Sequence, residues 1–449
     1  MKSTAGLTLA VSLIATGIVS GAGLATTRDV HTVSYPGSST AGELQYPSRF
    51  HVWVPGNVAR IRAVIVRQHG CGTGAEESGE NGVFDLHWRA LARKHDAALL
   101  SPHYIAGEKD CRQWCDPRNG SGQVFLKALN DLAASTGHPE LATAPWCLWG
   151  HSGGAFWSSL MLASHPERIV AIWLRSGSSV QAWQKGEIPQ PTYSAPAWSV
   201  PVAINPGLKE RGDARFDGIW QTSSLTLAYL RANGAPVLFA PDPLSNHDCR
   251  NSRLLAIPYF DVCLKARLPR TGNALRSLRS DRQILVDGST GEAVSSQTAA
   301  TGVSSENLSW LPDGSLLRAF GEYIRTGLVT DTTAPSSAPH SLRASRVDSL
   351  NEWILEWEAE ADFESGIREF VIYRDGTEAG RIPEKPDDRT GFSQFQGISY
   401  HDTPKPGFPR MRWIDYNQPA GKSPKYQVSA VNGAGLESPR SKPAGSSPR

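Results

Sequence analysis

The chain of 449 residues has almost no excess charge, with 45 Lys and Arg against 43 Asp and Glu, and it contains no Lys/Arg run. A surface so balanced offers a polyanion nothing to hold, so nucleic acid is excluded as an expected partner. Beyond residue 25 no apolar run is long enough to cross a bilayer, and no stable membrane insertion is expected of the rest. Cysteine is scarce and one-sided: Cys71, Cys111, Cys115, Cys147, Cys249 and Cys263, with none after them. Cys111-x-x-x-Cys115 lacks a matching Cys or His pair at ligand spacing, which argues against zinc or any other metal centre. The C-terminal part must therefore be stable without bridges.

What is present begins with MKSTAGLTLAVSLIATGIVSGAGLATT. One Lys, a weakly apolar stretch and small residues through Ala25 have the layout of a secretory signal peptide over 1–25. The mature protein is expected to be secreted, extracellular or periplasmic. An even count of cysteines suits that compartment. Cys147, inside an apolar run, reads as a buried thiol.

A chain of this length favours two domains. In the first, continuous apolar runs recur at Ala63–Val66, Ala97–Leu100, Trp146–Trp149, Ile169–Leu174, Val200–Ile204 and Val237–Ala240. Runs without alternation fit strands covered on both faces, as in a parallel sheet. Between them Val124, Phe125, Ala128, Leu129 and Leu132 recur at helical spacing, as do Leu254, Leu255, Tyr259 and Val262. Strands alternating with helices predict a doubly wound, mostly parallel α/β domain over 30–328. TDTTAPSSAPHS then reads as a linker over 329–341. Beyond it, WILEWE, FVIYRDG and YQVSAVNGAG show strands and turns with no helical period. They predict an all-β sandwich over 342–445.

Those three stretches resemble a fibronectin type III domain. The resemblance implies that Trp357 is the core tryptophan and Tyr426 the tyrosine-corner residue. It implies a module for spacing or contact rather than catalysis. The segment Pro383–Met411 is longer and richer in Pro and Gly than that family needs.

The chemistry is concentrated at CLWGHSGG. Gly150-x-Ser152-x-Gly154 lies between an apolar strand and the helical stretch that starts at Ala155. A strand, tight turn and helix of this kind hold one serine in a strained conformation that exposes its hydroxyl, and only small flanking residues fit the turn. The helix N-terminus below helps to stabilise developing negative charge. Upstream, the run Ala63–Val66 leads into His69-Gly70-Cys71-Gly72. There the N–H of Cys71 is expected to join that of Gly153 as an oxyanion hole, with His69 ordering the loop. The base expected by the order serine, acid, histidine is His247, after the last core strand. His151 is set aside because adjacent residues on an elbow point apart. For the acid, the loop after Val200–Ile204 offers Glu210 and Asp213. Glu210, three residues after Gly207, is preferred, while Asp242 and Asp248 break the order.

Together these motifs resemble the α/β-hydrolase superfamily. The His-Gly-Cys turn paired with G-H-S-G-G is most similar to secreted esterases of the polyhydroxybutyrate depolymerase and feruloyl or acetyl-xylan esterase kind. The resemblance implies a carboxylic ester hydrolase without cofactor. Its substrate would be an ester, with a polymeric polyester or esterified polysaccharide suggested by the added fibronectin-like module. A peptidase of the same fold, or an adhesion protein working through that module, are the rival readings. The segment Gln283–Ser309 reads as an insertion of unassigned purpose. Tyr104 and Trp114 fit either a pocket lining or the core. Cys111–Cys115 and Cys71–Cys249 are the bridges expected near the site.

Overall fold

The computed structural model describes residues 30–107, 111–295, 308–388, 390–407, 411–416, 418, 421 and 423–445. The signal peptide expected over 1–25 lies outside the described residues. Among the described residues no helix is long and apolar enough to cross a membrane.

The apolar runs become the centre of an eight-stranded sheet, in the order β1-β2-β4-β3-β5-β6-β7-β8. Its strands are β1 (Val30–Tyr35), β2 (Ser48–Trp53), β3 (Ala63–Gln68), β4 (Ala97–Tyr104), β5 (Trp146–His151), β6 (Ile169–Arg175), β7 (Val202–Asn205) and β8 (Val237–Phe239). β1 and β2 pair antiparallel, β2 runs antiparallel to β4, and β4, β3, β5, β6, β7 and β8 are mutually parallel. The sequence reading did not list β1 and β2. Their patterns mix polar and apolar positions, as expected at an antiparallel edge with one solvated face.

Helices cover both faces. They are α1 (Thr73–Asn81), α2 (Leu86–Lys94), α3 (Ser121–Thr136), α4 (Gly153–Ser164), α5 (Asp217–Ala232), α6 (Arg253–Arg267) and α7 (Leu317–Thr326). Along β3 and β5, successive side chains point to opposite faces. Val64, Val66, Trp146 and Leu148 join a core with Phe125 of α3 and Trp157 of α4. Ala63, Ile65, Cys147 and Trp149 join a second core with Trp88 of α2, Phe260 of α6 and Phe320 of α7. This two-sided burial is why the strands read as unbroken apolar runs.

The insertion at 283–309 contributes a small antiparallel sheet, β9 (Ile284–Asp287), β10 (Ala293–Val294) and β11 (Leu308–Leu311), in the order β10-β9-β11. Ser309 Oγ accepts a hydrogen bond from the Phe239 N–H at 2.7 Å. The segment thus occupies the exposed edge of β8, where an unpaired backbone would otherwise invite association.

The C-terminal domain is a sandwich of two three-stranded antiparallel sheets. One is β12 (His340–Val347), β13 (Glu352–Glu358) and β16 (Arg412–Asp415), in the order β12-β13-β16. The other is β15 (Thr377–Ile382), β14 (Glu369–Arg374) and β17 (Tyr426–Val431), in the order β15-β14-β17. Trp357 is buried with its ring edge-on to Phe370 at 5.4 Å. Tyr426 is also buried and donates its hydroxyl hydrogen bond to Asp415 Oδ2 at 2.7 Å.

The two domains share one interior. Leu86 of α2 belongs to the core of the sandwich, and Lys94 Nζ lies 3.4 Å from the centre of the Phe363 ring. The decisive contact comes from the long Pro383–Met411 segment, which carries Asp402 into the α/β domain. Asp402 is fully buried and bonds Arg67 Nη2 at 2.7 Å, Arg253 Nε at 2.6 Å and Trp88 Nε1 at 3.2 Å. Asp85, which also caps the N-terminus of α2, pairs with Arg253 Nη1 at 3.1 Å and Arg67 at 3.5 Å. Two arginines thus face two carboxylates out of water. The Arg67 guanidinium also lies 4.5 Å from both Trp88 and Trp149, a cation–π sandwich.

Leaving one member of such a group unpaired costs about 3–5 kcal/mol. Asp402→Ala is therefore expected to lower the unfolding free energy by about that amount, measured by urea denaturation.

A second acidic contact links the linker to the sandwich. Asp331 and Asp362 meet over Ser365 and Asn432. Burial, and then Asp331 beside it, push the Asp362 carboxyl up to about 7. An unfolded aspartate titrates near 4, so the protonated pair stabilises fully below about pH 4. That contribution disappears as pH rises through about 7. Asp362→Asn should match the parent near pH 4 and gain over it steadily towards pH 8, in melting temperatures recorded across that range.

Candidate active site

The site forms at the carboxyl ends of the parallel strands, where loops after β3, β5, β7 and β8 converge. β5 ends at His151, and Ser152 turns the chain into α4 with φ 53° and ψ −114°. A serine does not adopt this conformation unless the surroundings impose it. The imposition is visible on both sides. A Cβ on Gly150 would sit 2.2 Å from the Gly154 carbonyl oxygen, and one on Gly154 would sit 2.3 Å from that of Gln68. The Ser152 N–H donates to the Arg175 carbonyl at 2.9 Å, which pins the turn to β6.

Ser152 Oγ is 3.0 Å from His247 Nε2, and His247 Nδ1 is 2.7 Å from Glu210 Oε1. Glu210 is fully buried, and its Oε2 accepts from the Gly207 N–H at 3.2 Å. The hydroxyl, imidazole and carboxylate stand in one line. Nδ1–H is held by the carboxylate, so Nε2 is the free base facing the hydroxyl. Such a line can take a proton from Oγ as it attacks a carbonyl carbon and hand it to a leaving group.

Of the two acids left open by the sequence, the structure brings Glu210 to the histidine and not Asp213. Asp213 accepts from the Arg215 and Phe216 amides and from Asn246 Nδ2, which holds its carboxyl below the usual range. Asp242 accepts from the Leu244 N–H and Asp248 from the Asn246 N–H, so both shape the loop that carries His247.

The turn His69-Gly70-Cys71-Gly72 lies against the elbow. A Cβ on Gly70 would stand 3.2 Å from Ser152 Cβ, and one on Gly153 would stand 2.4 Å from Cys71 Sγ. Cys71 and Gly153, the two residues expected to supply oxyanion donors, are thus packed together beside the serine. His69 Nε2 accepts from the Tyr104 N–H at 3.0 Å, so its Nδ1–H donates to the Gly70 carbonyl at 2.6 Å. Burial lowers this ring to about 3, which keeps it neutral. Tyr104 and Trp114 are buried and stacked at 5.0 Å beneath the turn, so both are core residues.

Both expected bridges are corrected. The disulfide joins Cys71 to Cys111. Cys115 lies one helical turn after Cys111, with its N–H bonded to the Cys111 carbonyl. Side chains at that spacing are about 5–6 Å apart at Cβ, too far for a disulfide. Cys249 is buried in the core on the other face of the sheet from Cys71. Burial raises its thiol well above the usual value, as it does for Cys147.

Several residues of the site escaped the sequence reading. Arg175, buried at the end of β6, donates to Asn205 O at 2.8 Å, Ser245 Oγ at 2.6 Å, Asn246 O at 3.1 Å and the Asp248 carbonyl. It ties the histidine loop to the sheet. A charged residue closing an otherwise apolar strand was the available signal. Phe216 stacks on His247 at 4.3 Å with the rings 9° apart. His151 donates from Nε2 to the His247 carbonyl at 2.8 Å, and its Nδ1 meets His401 Nδ1 at 3.0 Å. Burial, then the neighbouring His247, hold His151 well below the usual value and His401 at about 4. Both are neutral positioning rings.

The strand order, the strained Ser152 turn and the C-terminal sandwich define an α/β-hydrolase fold joined to a fibronectin type III-like domain. No protein-family model and no curated protein sequence matches the chain. Among solved structures it is similar to the S-formylglutathione hydrolase of Agrobacterium tumefaciens, at 14% identity over 53% of this chain and 94% of that one, with a TM-score of 0.37. It is similar to the BES protein of Bacillus cereus, at 12% identity over 59% of this chain and 98% of that one, with a TM-score of 0.34. It is also similar to an Fn3-like protein from Clostridium thermocellum, at 20% identity over 26% of this chain and 97% of that one, with a TM-score of 0.18. Two further matched chains are spanned over only 27% and 20% of their length.

The Cys71–Cys111 bridge closes a separation of 40 residues across the oxyanion turn, which by loop entropy stabilises by about 4 kcal/mol. Peptide mapping without reductant is expected to recover Cys71 linked to Cys111. Cys111→Ser should lower the melting temperature.

Proposed function

We propose that the protein is a serine hydrolase acting on carboxylic esters, exported through the leader at its N-terminus. The observation that carries this reading is the line Glu210–His247–Ser152, with bonds of 2.7 and 3.0 Å, set on a serine held at φ 53°. In this reading Ser152 Oγ attacks the ester carbonyl carbon while His247 Nε2 takes its proton. The carbonyl oxygen becomes an oxyanion held by the N–H groups of Cys71 and Gly153. Such donors act strongly because they are fixed before charge develops. The C–O bond to the alcohol then breaks, and His247 returns the proton to the departing oxygen. Water, deprotonated in turn by His247, releases the acid from Ser152. Glu210 keeps the imidazole in the right tautomer and stabilises its cation. A polymeric ester remains the substrate class suggested by the attached sandwich.

The test is hydrolysis of p-nitrophenyl acetate and longer acyl esters, with a peptide p-nitroanilide alongside. Ser152→Ala and His247→Ala are expected to abolish ester turnover. Glu210→Gln should reduce kcat by about 10⁴-fold, as when a triad acid loses its charge, while Asp213→Asn leaves kcat within about twofold. Turnover of the anilide alone would replace the ester reading with a peptidase. Retained activity in Ser152→Ala would remove the serine mechanism.

A further inference from the structure

The C-terminal sandwich sends one short stretch, Ser399–Thr403, into the active-site mouth, and each residue of its middle has a distinct position. Asp402 is anchored by Arg67 and Arg253. Thr403 Oγ1 donates to Ser78 Oγ at 3.1 Å. The His401 ring bonds His151, which holds the carbonyl of His247. The Tyr400 carbonyl accepts from the Cys249 N–H at 2.9 Å. The backbone carbonyl of Tyr400 is therefore held, yet the residue is 47% exposed. That ring stands 6.5 Å from the His247 ring and 5.9 Å from the His151 ring.

An isolated exposed tyrosine is ordinary. This one is rigidly held at the edge of the triad, and the side on which it stands is chemically defined. The oxyanion turn flanks Ser152 at Cys71 and Gly153, so the carbonyl oxygen of an ester points that way. The base that must protonate the leaving oxygen is His247, so the alcohol part lies on the histidine side, where Tyr400 projects. A half-exposed aromatic ring recognises a flat apolar face, either another aromatic ring or the C–H face of a sugar ring.

Resting on the esterase reading, we propose that Tyr400 is a specificity-determining residue supplied by the fibronectin-like domain, and that it contacts the leaving alcohol of esters whose alcohol carries a ring. The sandwich thus completes the substrate site of the neighbouring domain instead of serving as a spacer.

The experiment compares kcat/KM for phenyl acetate, a methyl glucoside acetate and ethyl acetate in the full-length parent, Tyr400→Ala and Tyr400→Phe. All three esters give the same acetyl-enzyme, so deacylation is common and kcat/KM reports acylation, the step in which the alcohol is still bound. In Tyr400→Ala the ratio of phenyl or glucoside ester to ethyl acetate is expected to fall about fivefold, through KM, the size of one aromatic contact. Tyr400→Phe should restore it. A fall confined to phenyl acetate assigns aryl alcohols, and one confined to the glucoside assigns sugars. Equal losses on all three esters, or no change in the ratio, would overturn the proposal while leaving the esterase reading intact. A parent that hydrolyses neither these acetates nor the longer p-nitrophenyl esters would remove both. Thermal melts of each variant separate a loosened stretch from a lost contact.

Discussion

The arrangement rests on four charged side chains that are buried together. Arg67 is the penultimate residue of β3, just before the turn His69-Gly70-Cys71-Gly72. Arg253 opens α6, which follows the loop bearing His247. Asp85 caps α2, and Asp402 arrives from the other domain. Burying two guanidinium groups, one of them between Trp88 and Trp149, is tolerable only if both carboxylates are present to pair with them. The same requirement that makes Asp402 indispensable to its neighbours therefore brings the ends of β3 and α6 to a set separation. Those two ends adjoin the Cys71 turn and the loop that bears His247. A network of this kind specifies geometry more than it adds net stability.

From that constraint the rest follows in layers. Arg175 is a second buried guanidinium two strands further on, spread over Ser245 Oγ and the carbonyls of Asn246 and Asp248 in the histidine loop. His151 and His401, both kept neutral by burial, transmit contact from the sandwich to the backbone of His247 without adding charge beside the base. The Cys71–Cys111 bridge then limits the freedom of the oxyanion turn from its exposed side. Preorganisation of this sort matters for acyl transfer, because donors and base must be within tenths of an ångström of their working positions before charge appears.

Much of the α/β domain was legible because its signals are local. Ser152 announces itself through Gly150 and Gly154, since a strained turn between a buried strand and a helix leaves room for little else. His247 and Glu210 were reachable from chain order, each just after a buried strand. The bridges were not legible: Cys111 and Cys115 are close in sequence, but the helical turn between them separates their side chains. Arg67 and Arg175 look like ordinary strand ends, and nothing in their neighbours says where their partners lie.

The sequence by itself determined the doubly wound sheet, the elbow at Ser152 and the β-sandwich, because periodicity, glycine placement and turn chemistry act over a few residues. It also placed Glu210 and His247 in loops after successive strands. Only the tertiary structure decided that Glu210 rather than Asp213 reaches the imidazole, that Cys71 meets Cys111, and that Tyr400, His401 and Asp402 pack against Cys249, His151 and Arg67 of the α/β domain. Those pairings join residues 37 to 335 positions apart. Long-range partners are selected by burial and by the need to neutralise buried charge, and that selection exists only once the whole chain is packed.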